Sequence, residues 1–311
     1  MAPSSNRVVL MSSHPNPSLQ ATGICGSDIH FWQTGRIGSL VFEGDCIIGH
    51  EASGIVWGNY RVAVEPSVPC ENCFLCGEGR SNLCDDVQFA GKTHPAKWLH
   101  RLPDTVSFAE GALLEPLSVV MDGIKTAGLS LGRGVVVCGA SPIGLIALAA
   151  ARASGAHPVV FTDLEASRLA FAKEFVPSCI TYQVDGRKDA QGSAQAIRAL
   201  FGSYEYGAPE TVLECTGVES SVCTAAYTAR RGGTVMVIVV GKAIMNNLSF
   251  MHMSLAEVDL RFINRYRDAW PPAMTCLSGG VLDLNKLVSH FFEKAEDALY
   301  HCADPQNGSI K

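Results

Sequence analysis

Two short segments near the start of the chain carry side chains that can bind a metal ion. Cys25 lies in the segment TGICGSDIH, and His50 and Glu51 lie in IIGHEASG. One thiolate, one imidazole and one carboxylate can bind zinc and leave a fourth coordination position open for water or substrate, as a catalytic zinc requires. A single cysteine or histidine is usually structural, so the prediction of a metal centre depends on both segments occurring together.

Four more cysteines lie close together in the sequence. They are Cys70, Cys73, Cys76 and Cys84. A C-x-x-C-x-x-C run with a fourth cysteine in the same loop suits a closed tetrahedral zinc site. Four ligands leave no open position, so the role predicted for this site is structural. A chance cluster of cysteines and a redox-active C-x-x-C motif are the alternative interpretations.

A dinucleotide-binding motif lies near the middle of the chain. The β-branched run 135–138 ends at Gly139, and an Ala/Leu-rich stretch follows Gly144. This pattern predicts a strand, a glycine turn (139–144) and a helix whose N-terminal N–H groups bind a pyrophosphate. Ser141 replaces the middle glycine of G-x-G-x-x-G, so a side chain lies where the backbone should approach the phosphate. Glycine and proline residues interrupt the apolar stretch 135–151, which favours a buried strand and helix over a membrane span.

An acidic residue ends the next predicted strand, 158–163. Asp163 lies about 20 residues after the glycine turn, where a carboxylate holds the ribose hydroxyls and favours NAD over NADP. The alternative is that Asp163 caps the helix that begins near Ala166. Further strands predicted at 234–240 and 259–262 continue the alternation of strands and helices, which indicates a doubly wound parallel sheet.

Composition narrows the possible classes of protein. A chain of 311 residues, 47% hydrophobic and 17% charged, can fold into two domains with substantial cores. A net charge of −6 gives no reason to expect nucleic acid or an anionic membrane as a partner. The 12 cysteines and the expected lack of a signal peptide favour thiols and metal in a reducing, cytoplasmic compartment.

These segments together resemble the zinc-dependent medium-chain dehydrogenases, and among them the polyol dehydrogenases that act on L-arabinitol, sorbitol or xylitol. The segments that carry the resemblance are GICGSDIHFW, IGHEASG, RVAVEPSVPCENCFLCGEG, HPAKWLHRLPD, EGALLEPLSV and DLRF. The fold that it implies is α/β, with a GroES-like β-barrel catalytic domain over 1–118 and an NAD-binding Rossmann domain over 119–261. Part of 262–311 is expected to return to the first domain. The resemblance also implies a cytoplasmic homotetramer that uses zinc and NAD to oxidise a secondary hydroxyl of a polyol to a ketose.

The resemblance implies roles for individual residues as well. It implies that Cys25, His50 and Glu51 bind the catalytic zinc and that Glu115 lies at this metal as an inner- or second-sphere group. From the residues alone, Glu115 is better interpreted as an acid at a helix N-terminus, so here the resemblance reverses the interpretation. The substrate and proton-path residues that it implies are Ser27, His30 and Arg261. The cofactor-binding residues are predicted to be Gly139, Ser141, Pro142, Ile143, Gly144, Asp163 and Arg168.

The chain also departs from that family. It is expected to lack material around 10–21, 55–60 and 89–92 and at its C-terminus, mostly from the barrel, where each missing strand exposes a sheet edge. Ser141 is expected to crowd the pyrophosphate and weaken NAD binding. A second hypothesis is therefore an inactive relative that keeps zinc and dinucleotide binding. A zinc-free quinone reductase is disfavoured because both zinc patterns are present.

Overall fold

The computed structural model consists of two compact units. The residues that it describes are 18–38, 40–41, 48–56, 58–89, 95–304 and 307. The missing material expected at 10–17 and at 90–92 and the strand expected to begin at Ser309 lie outside these residues. Unit 1 comprises Met1–Pro116 and Arg267–Lys311, and unit 2 comprises Leu117–Tyr266.

Unit 1 begins with short strands and short helices. The strands are β1 (Ser18–Gly23), β2 (Arg36–Ile37), β3 (Leu40–Val41), β4 (Glu51–Val56), β5 (Tyr60–Val64), β6 (Ser67–Val68), β7 (Gln88–Phe89) and β8 (Leu99–Arg101). The helices are α1 (Gly26–Thr34), α2 (Phe74–Gly77) and α3 (Phe108–Ala112). Strands β1, β4, β5 and β8 form an antiparallel sheet in that order, and β2–β3 and β6–β7 form separate two-stranded ladders.

A tight hairpin joins β4 to β5 where the sequence predicts missing material. Val56 pairs directly with Tyr60. Gly58 and Asn59 both have positive φ angles, of 79° and 63°. Glycine and asparagine are the residues that adopt this left-handed conformation most easily, and short hairpin loops require it. The chain therefore crosses the shortened segment with the two strands still paired.

Unit 2 alternates helices and strands. The helices are α4 (Leu114–Ala127), which crosses from unit 1, α5 (Pro142–Ala153), α6 (Ala166–Phe175), α7 (Ala190–Ala199), α8 (Glu219–Thr228) and α9 (Phe250–Ala256). The strands are β9 (Val135–Cys138), β10 (Val159–Asp163), β11 (Ile180–Gln183), β12 (Thr211–Glu214), β13 (Thr234–Val237) and β14 (Asp259–Phe262).

These six strands form one parallel sheet in the order β11-β10-β9-β12-β13-β14. This is the Rossmann strand order, so the predicted doubly wound sheet is confirmed. Strands β9, β12 and β13 are buried throughout, as expected for central strands covered by helices on both faces. The strand predicted at 234–240 ends at Val237, because the neighbouring strands offer ladder partners only that far.

The last part of the chain returns to unit 1 and adds α10 (Trp270–Ser278) and α11 (Ala295–Ala303). Trp270 is buried and stacks on His100 of β8 with a ring-centroid distance of 5.1 Å. His100 Nε2 lies 2.6 Å from the carboxylate of Glu65, which is also buried. Tyr300 of α11 makes an edge-to-face contact with Trp32 of α1. No helix among the described residues is long and apolar enough to span a membrane.

Candidate functional site

Cys25, His50 and Glu51, here called the mixed group, come together in unit 1. Their potential ligand atoms all lie within 4.8 Å of one another. Cys25 is the N-cap of α1, and His50 directly precedes Glu51, the first residue of β4. Gly23 at the end of β1 is the register partner of Glu51, so the pairing of β1 with β4 brings Cys25 close to His50.

Close packing at the end of β1 leaves room only for glycine opposite Glu51. A Cβ atom at position 23 would collide with the Glu51 carboxylate, so glycine leaves the space that the acid occupies. Glu51 itself is only 1% exposed. A carboxylate so deeply buried needs compensating partners, and a bound cation is the strongest of these. The packing therefore agrees with Glu51 acting as a metal ligand.

Asp28 connects the two halves of the mixed group, and sequence reasoning missed this role. Its Oδ2 accepts a hydrogen bond from the backbone N–H of Cys25 at 2.8 Å. Its Oδ1 accepts one from the N–H of Gly49 at 3.1 Å and lies 3.1 Å from Nδ1 of His50. Metal-binding histidines commonly donate the ring N–H that faces away from the metal to a carboxylate in this way. The available signal was an acidic residue at the third position of a helix, which completes a capping box.

The charges around His50 favour a cation at this place. Burial alone lowers the pKa of His50. Hydrogen bonds with Asp28 and Cys25, together with the negative charge of Glu115, outweigh burial and hold that pKa well above its usual value. Glu115 lies in the first turn of α4 and is 6% exposed. Zinc supplies the positive charge that a protonated imidazole otherwise provides, so this donor set fits zinc.

Ser27 and His30, the predicted proton-path residues, both lie on α1 next to Cys25. They are separated by three positions and therefore share one face of the helix. Ser27 is half-buried, whereas His30 is exposed to solvent. An exposed imidazole can exchange protons with water. A proton that passes from Ser27 to His30 could therefore reach solvent.

Cys70, Cys73, Cys76 and Cys84, here called the cysteine group, also gather in unit 1. Their sulfur atoms lie within 4.8 Å of one another. Cys73 caps α2 and accepts a hydrogen bond from the backbone N–H of Cys76, while a 3₁₀ turn over Ser81–Leu83 returns the chain to Cys84. No other group of three or more potential ligands occurs in the described part of the chain.

The surroundings of Cys70 and Cys76 shift the pKa values of these two thiols in opposite directions. Backbone N–H groups of Asn72 and Cys73 lower the pKa of Cys70 to about 7. Desolvation and the neighbouring thiols raise the pKa of Cys76 to about 12. Four sulfurs this close together can all ionise only when a cation balances their charge, and tetrahedral zinc does so.

The glycine turn lies between β9 and α5 in unit 2. Gly139 has a φ of 97°, and a Cβ atom at Gly144 would collide with the carbonyl oxygen of Gly139. Ser141 is the N-cap of α5, and its Oγ accepts a hydrogen bond from the N–H of Gly144 at 3.3 Å. Pro142 is the first residue of the helix. The serine that replaces the middle glycine therefore satisfies a helix N-terminal N–H group, a role that sequence reasoning did not assign to it.

Asp163 ends β10 beside the glycine turn. Its Oδ2 accepts a hydrogen bond from the N–H of Ala140 at 2.6 Å, and its Oδ1 accepts one from the N–H of Glu165. The residue that caps α6 is Glu165, not Asp163. Arg168 is exposed in the first turn of α6. The carboxylate thus lies where a ribose approaches a Rossmann sheet, and its role there stays a prediction.

Arg261 lies on β14 and makes its contacts within unit 2. Its guanidinium donates hydrogen bonds to the carbonyl oxygen of Thr126 at 2.8 Å and to Asp259 at 2.6 Å. These contacts hold the side chain against α4 and its own strand. Its predicted place in a substrate pocket stays a prediction.

The sequence of this chain is similar to those of known dehydrogenases. Residues 18–115 match the family described as "Alcohol dehydrogenase GroES-like domain", and residues 142–279 match "Zinc-binding dehydrogenase". An L-arabinitol 4-dehydrogenase from Aureobasidium melanogenum is 45% identical, over 94% of this chain and 85% of that protein. Sorbitol dehydrogenase from Mus musculus is 41% identical, over 90% of this chain and 83% of that protein.

Solved structures show the same architecture. L-idonate 5-dehydrogenase from Escherichia coli superposes with a TM-score of 0.80 and 26% identity, covering 93% of this chain and 87% of that one. The structure of 2R,3R-butanediol dehydrogenase from Bacillus subtilis gives a TM-score of 0.83 at 22% identity, covering 97% and 93%. The second match is evidence for the fold alone.

Proposed function

The chain belongs to the polyol dehydrogenases of the zinc-binding dehydrogenase family, and we propose that it oxidises a secondary hydroxyl of L-arabinitol or a related polyol. The product is the corresponding ketose, and NAD accepts the hydride. The observation that carries this proposal is the mixed group, whose three potential ligand atoms lie close together and would leave a fourth position on a tetrahedral zinc for water or substrate.

Zinc bound by Cys25, His50 and Glu51 would polarise the substrate hydroxyl and lower its pKa. The protein keeps these ligands in place through Asp28, which fixes both the backbone of Cys25 and the imidazole of His50. Glu115 adds negative charge near the imidazole and, by resemblance, lies at the metal. Asp28 and Glu115 thereby support the metal from two different helices.

The hydroxyl proton leaves the site along α1. Ser27 accepts it, and His30, one helical turn away and exposed, passes it to solvent. A proton path of this kind needs a half-buried group next to the substrate and a titratable group in contact with water. The half-buried position of Ser27 and the exposed position of His30 support this assignment.

The Rossmann sheet of unit 2 holds the cofactor. The N–H groups at the start of α5 bind the pyrophosphate, and Asp163 binds the ribose hydroxyls. The carboxylate of Asp163 repels a 2′-phosphate, which favours NAD over NADP. Ser141 adds a hydroxymethyl group at the pyrophosphate and reduces NAD affinity. A homotetramer in the cytoplasm is proposed on the resemblance alone.

A second candidate function is a zinc- and dinucleotide-binding protein without turnover. Ser141 favours it, because its side chain lies in the glycine turn, where the pyrophosphate is proposed to bind. The two candidates bind the same groups, so only catalysis separates them.

The test is NAD reduction, followed by absorbance, on purified protein with L-arabinitol, xylitol and sorbitol, together with zinc analysis. Two zinc ions per chain and NAD reduction with at least one of these polyols would support the proposed dehydrogenase. Two zinc ions and NAD binding without turnover would support the second candidate. Absence of zinc at the mixed group would overturn both.

A further inference from the structure

Glu214, the last residue of β12, is a buried carboxylate that no role assigned so far explains. It is 0% exposed. Its Oε1 accepts hydrogen bonds from the N–H and the hydroxyl of Thr216 and from the hydroxyl of Ser221, the last at 2.8 Å. Its Oε2 accepts one from the N–H of Gly217 at 2.9 Å. None of the ion pairs in the described part of the chain includes Glu214.

A carboxylate buried without a cation is costly unless several donors face it. Here the donors are Thr216 and Gly217, which follow the end of β12, and Ser221 in the first turn of α8. Two of the four hydrogen bonds come from the backbone N–H groups of Thr216 and Gly217 and hold the backbone of 214–217, here called the acid turn. Gly217 has a φ of 67°, and a Cβ atom there would lie 2.7 Å from the carbonyl oxygen of Val240. The acid turn is thus closely packed at Gly217 against the backbone that follows β13.

The glycine turn packs against the acid turn. Strands β9 and β12 are neighbours, and Glu214 is the register partner of Cys138. A Cβ atom at Gly139 would lie 2.7 Å from the Cγ2 of Thr216. The hydroxyl of Ser141 donates to the carbonyl oxygen of Cys215 at 3.4 Å. The conformation of the acid turn therefore limits where the glycine turn can lie.

We infer that Glu214 is a positioning residue for the cofactor: it holds the acid turn, and through that turn it sets the glycine turn in the conformation that receives the pyrophosphate. This inference rests on the proposed function, because it requires that unit 2 binds NAD. Both turns lie at the carboxyl ends of adjacent parallel strands, where ligands bind in open α/β sheets. Glu214 does not itself contact the phosphate in this account.

The test is isothermal titration of NAD into the zinc-loaded wild-type protein and the Glu214→Gln variant. Glutamine has the same shape, but its NH₂ group would face an N–H or hydroxyl donor, so at least one donor loses its acceptor. Because hydrogen bonds to charged groups are strong, we expect the Kd for NAD to rise about tenfold. The number of NAD molecules bound per chain should stay the same.

A purely structural role predicts a different result. In that case part of the protein would be unfolded, so the number of NAD molecules bound per chain would fall while the Kd of the folded fraction stayed unchanged. Steady-state kinetics give a second readout, since a positioning role raises the KM for NAD and leaves kcat within about twofold. Glu210→Gln is the matched control, because Glu210 lies next to the other end of β12, where it pairs with Arg133 and Arg230.

Thr216→Val keeps the inference testable if Glu214→Gln fails to fold. Valine preserves the methyl group beside Gly139 and removes the hydroxyl that donates to Glu214. A smaller rise in Kd, about threefold, is expected. A wild-type protein that binds NAD, with variants that bind equally well, would overturn this inference alone. A wild-type protein that does not bind NAD would overturn the proposed cofactor as well.

Discussion

The cysteine group and the mixed group are both candidate zinc sites of unit 1, but they are assembled in different ways. All ligands of the cysteine group lie within 70–84, and a short helix and a 3₁₀ turn bring them together. The mixed group draws Cys25 from the N-cap of a helix, Glu51 from the first position of a strand and His50 from the residue just before that strand. Strand pairing and one buried carboxylate, Asp28, join these parts.

This difference shows what each site depends on. The cysteine group depends on its local sequence and on the metal itself, which is typical of structural zinc. The mixed group depends on the tertiary structure around it, so residues that never touch the metal can alter it. Substitutions can therefore separate the two sites, because each should disturb one zinc ion and leave the other in place.

The largest effect is expected for Cys84→Ser. Loss of one thiolate from a closed four-sulfur site should release its zinc and lower the free energy of unfolding by about 4 kcal/mol, or roughly 10 °C in Tm. Zinc analysis and thermal unfolding measure both changes. Cys276→Ser is the control, since Cys276 is a half-buried cysteine of unit 1 outside both groups. An unchanged zinc content in Cys84→Ser would contradict the assignment.

Asp28→Ala should come next, and it should affect only the mixed group. The substitution removes the acceptor for the N–H groups of Cys25 and Gly49 and for the imidazole of His50. Loss of such an outer partner typically weakens zinc binding about 10- to 100-fold. Zinc retained during dialysis against a graded chelator measures the change, with Asp86→Ala, at an exposed position of unit 1, as the control. Equal retention in both variants would show that Asp28 does not support the metal.

Gly23→Ala tests whether the register of β1 and β4 matters for the metal. The added methyl group must displace the Glu51 carboxylate. We expect about tenfold weaker zinc binding at the mixed group, with the second zinc ion retained. In Gly26→Ala, the control, the same methyl group enters open space. The account of Glu51 as a ligand fails if both variants hold zinc as tightly as the wild type.

The smallest effect concerns unit 2. Ser141→Gly removes the hydroxymethyl group from the turn that is proposed to bind the pyrophosphate, and relief of crowding should tighten NAD binding about two- to fivefold. The change from serine to glycine at an N-cap costs only about 0.3 kcal/mol, so the Tm should barely change. Titration of NAD measures the first effect and thermal unfolding the second. Weaker binding would mean that the hydroxyl contacts the phosphate favourably.

Features that depend on local sequence were predictable. The cysteine group and the strand–turn–helix around Gly139 are each formed by residues close together in the chain. In the structure the four cysteines come together, and the strand and helix form on either side of the glycine turn, as predicted. The parallel sheet followed from the alternation of hydrophobic runs, but its edge strand β11 was not predicted. The strand boundaries were less accurate, because the end of β13 depends on its neighbours β12 and β14.

Features that depend on long-range contacts were not predictable. Asp28 carries an ordinary helix-capping signal, and only the fold shows that its second oxygen reaches His50 across 22 positions. Glu214 looks like any acid at the end of a strand until its four donors are visible. The hydrogen bonds of Arg261 to Thr126 and Asp259 likewise follow from tertiary packing and could not be inferred from a matching motif.

The central claim is that zinc held by the mixed group activates a polyol hydroxyl, whereas zinc held by the cysteine group has only a structural role. The most direct test is to measure zinc content and NAD reduction with L-arabinitol and sorbitol in Cys25→Ser and in the control Cys276→Ser. The account predicts one zinc ion, no detectable turnover and a nearly unchanged Tm for Cys25→Ser, with two zinc ions and wild-type turnover for the control. Wild-type turnover in Cys25→Ser would contradict it.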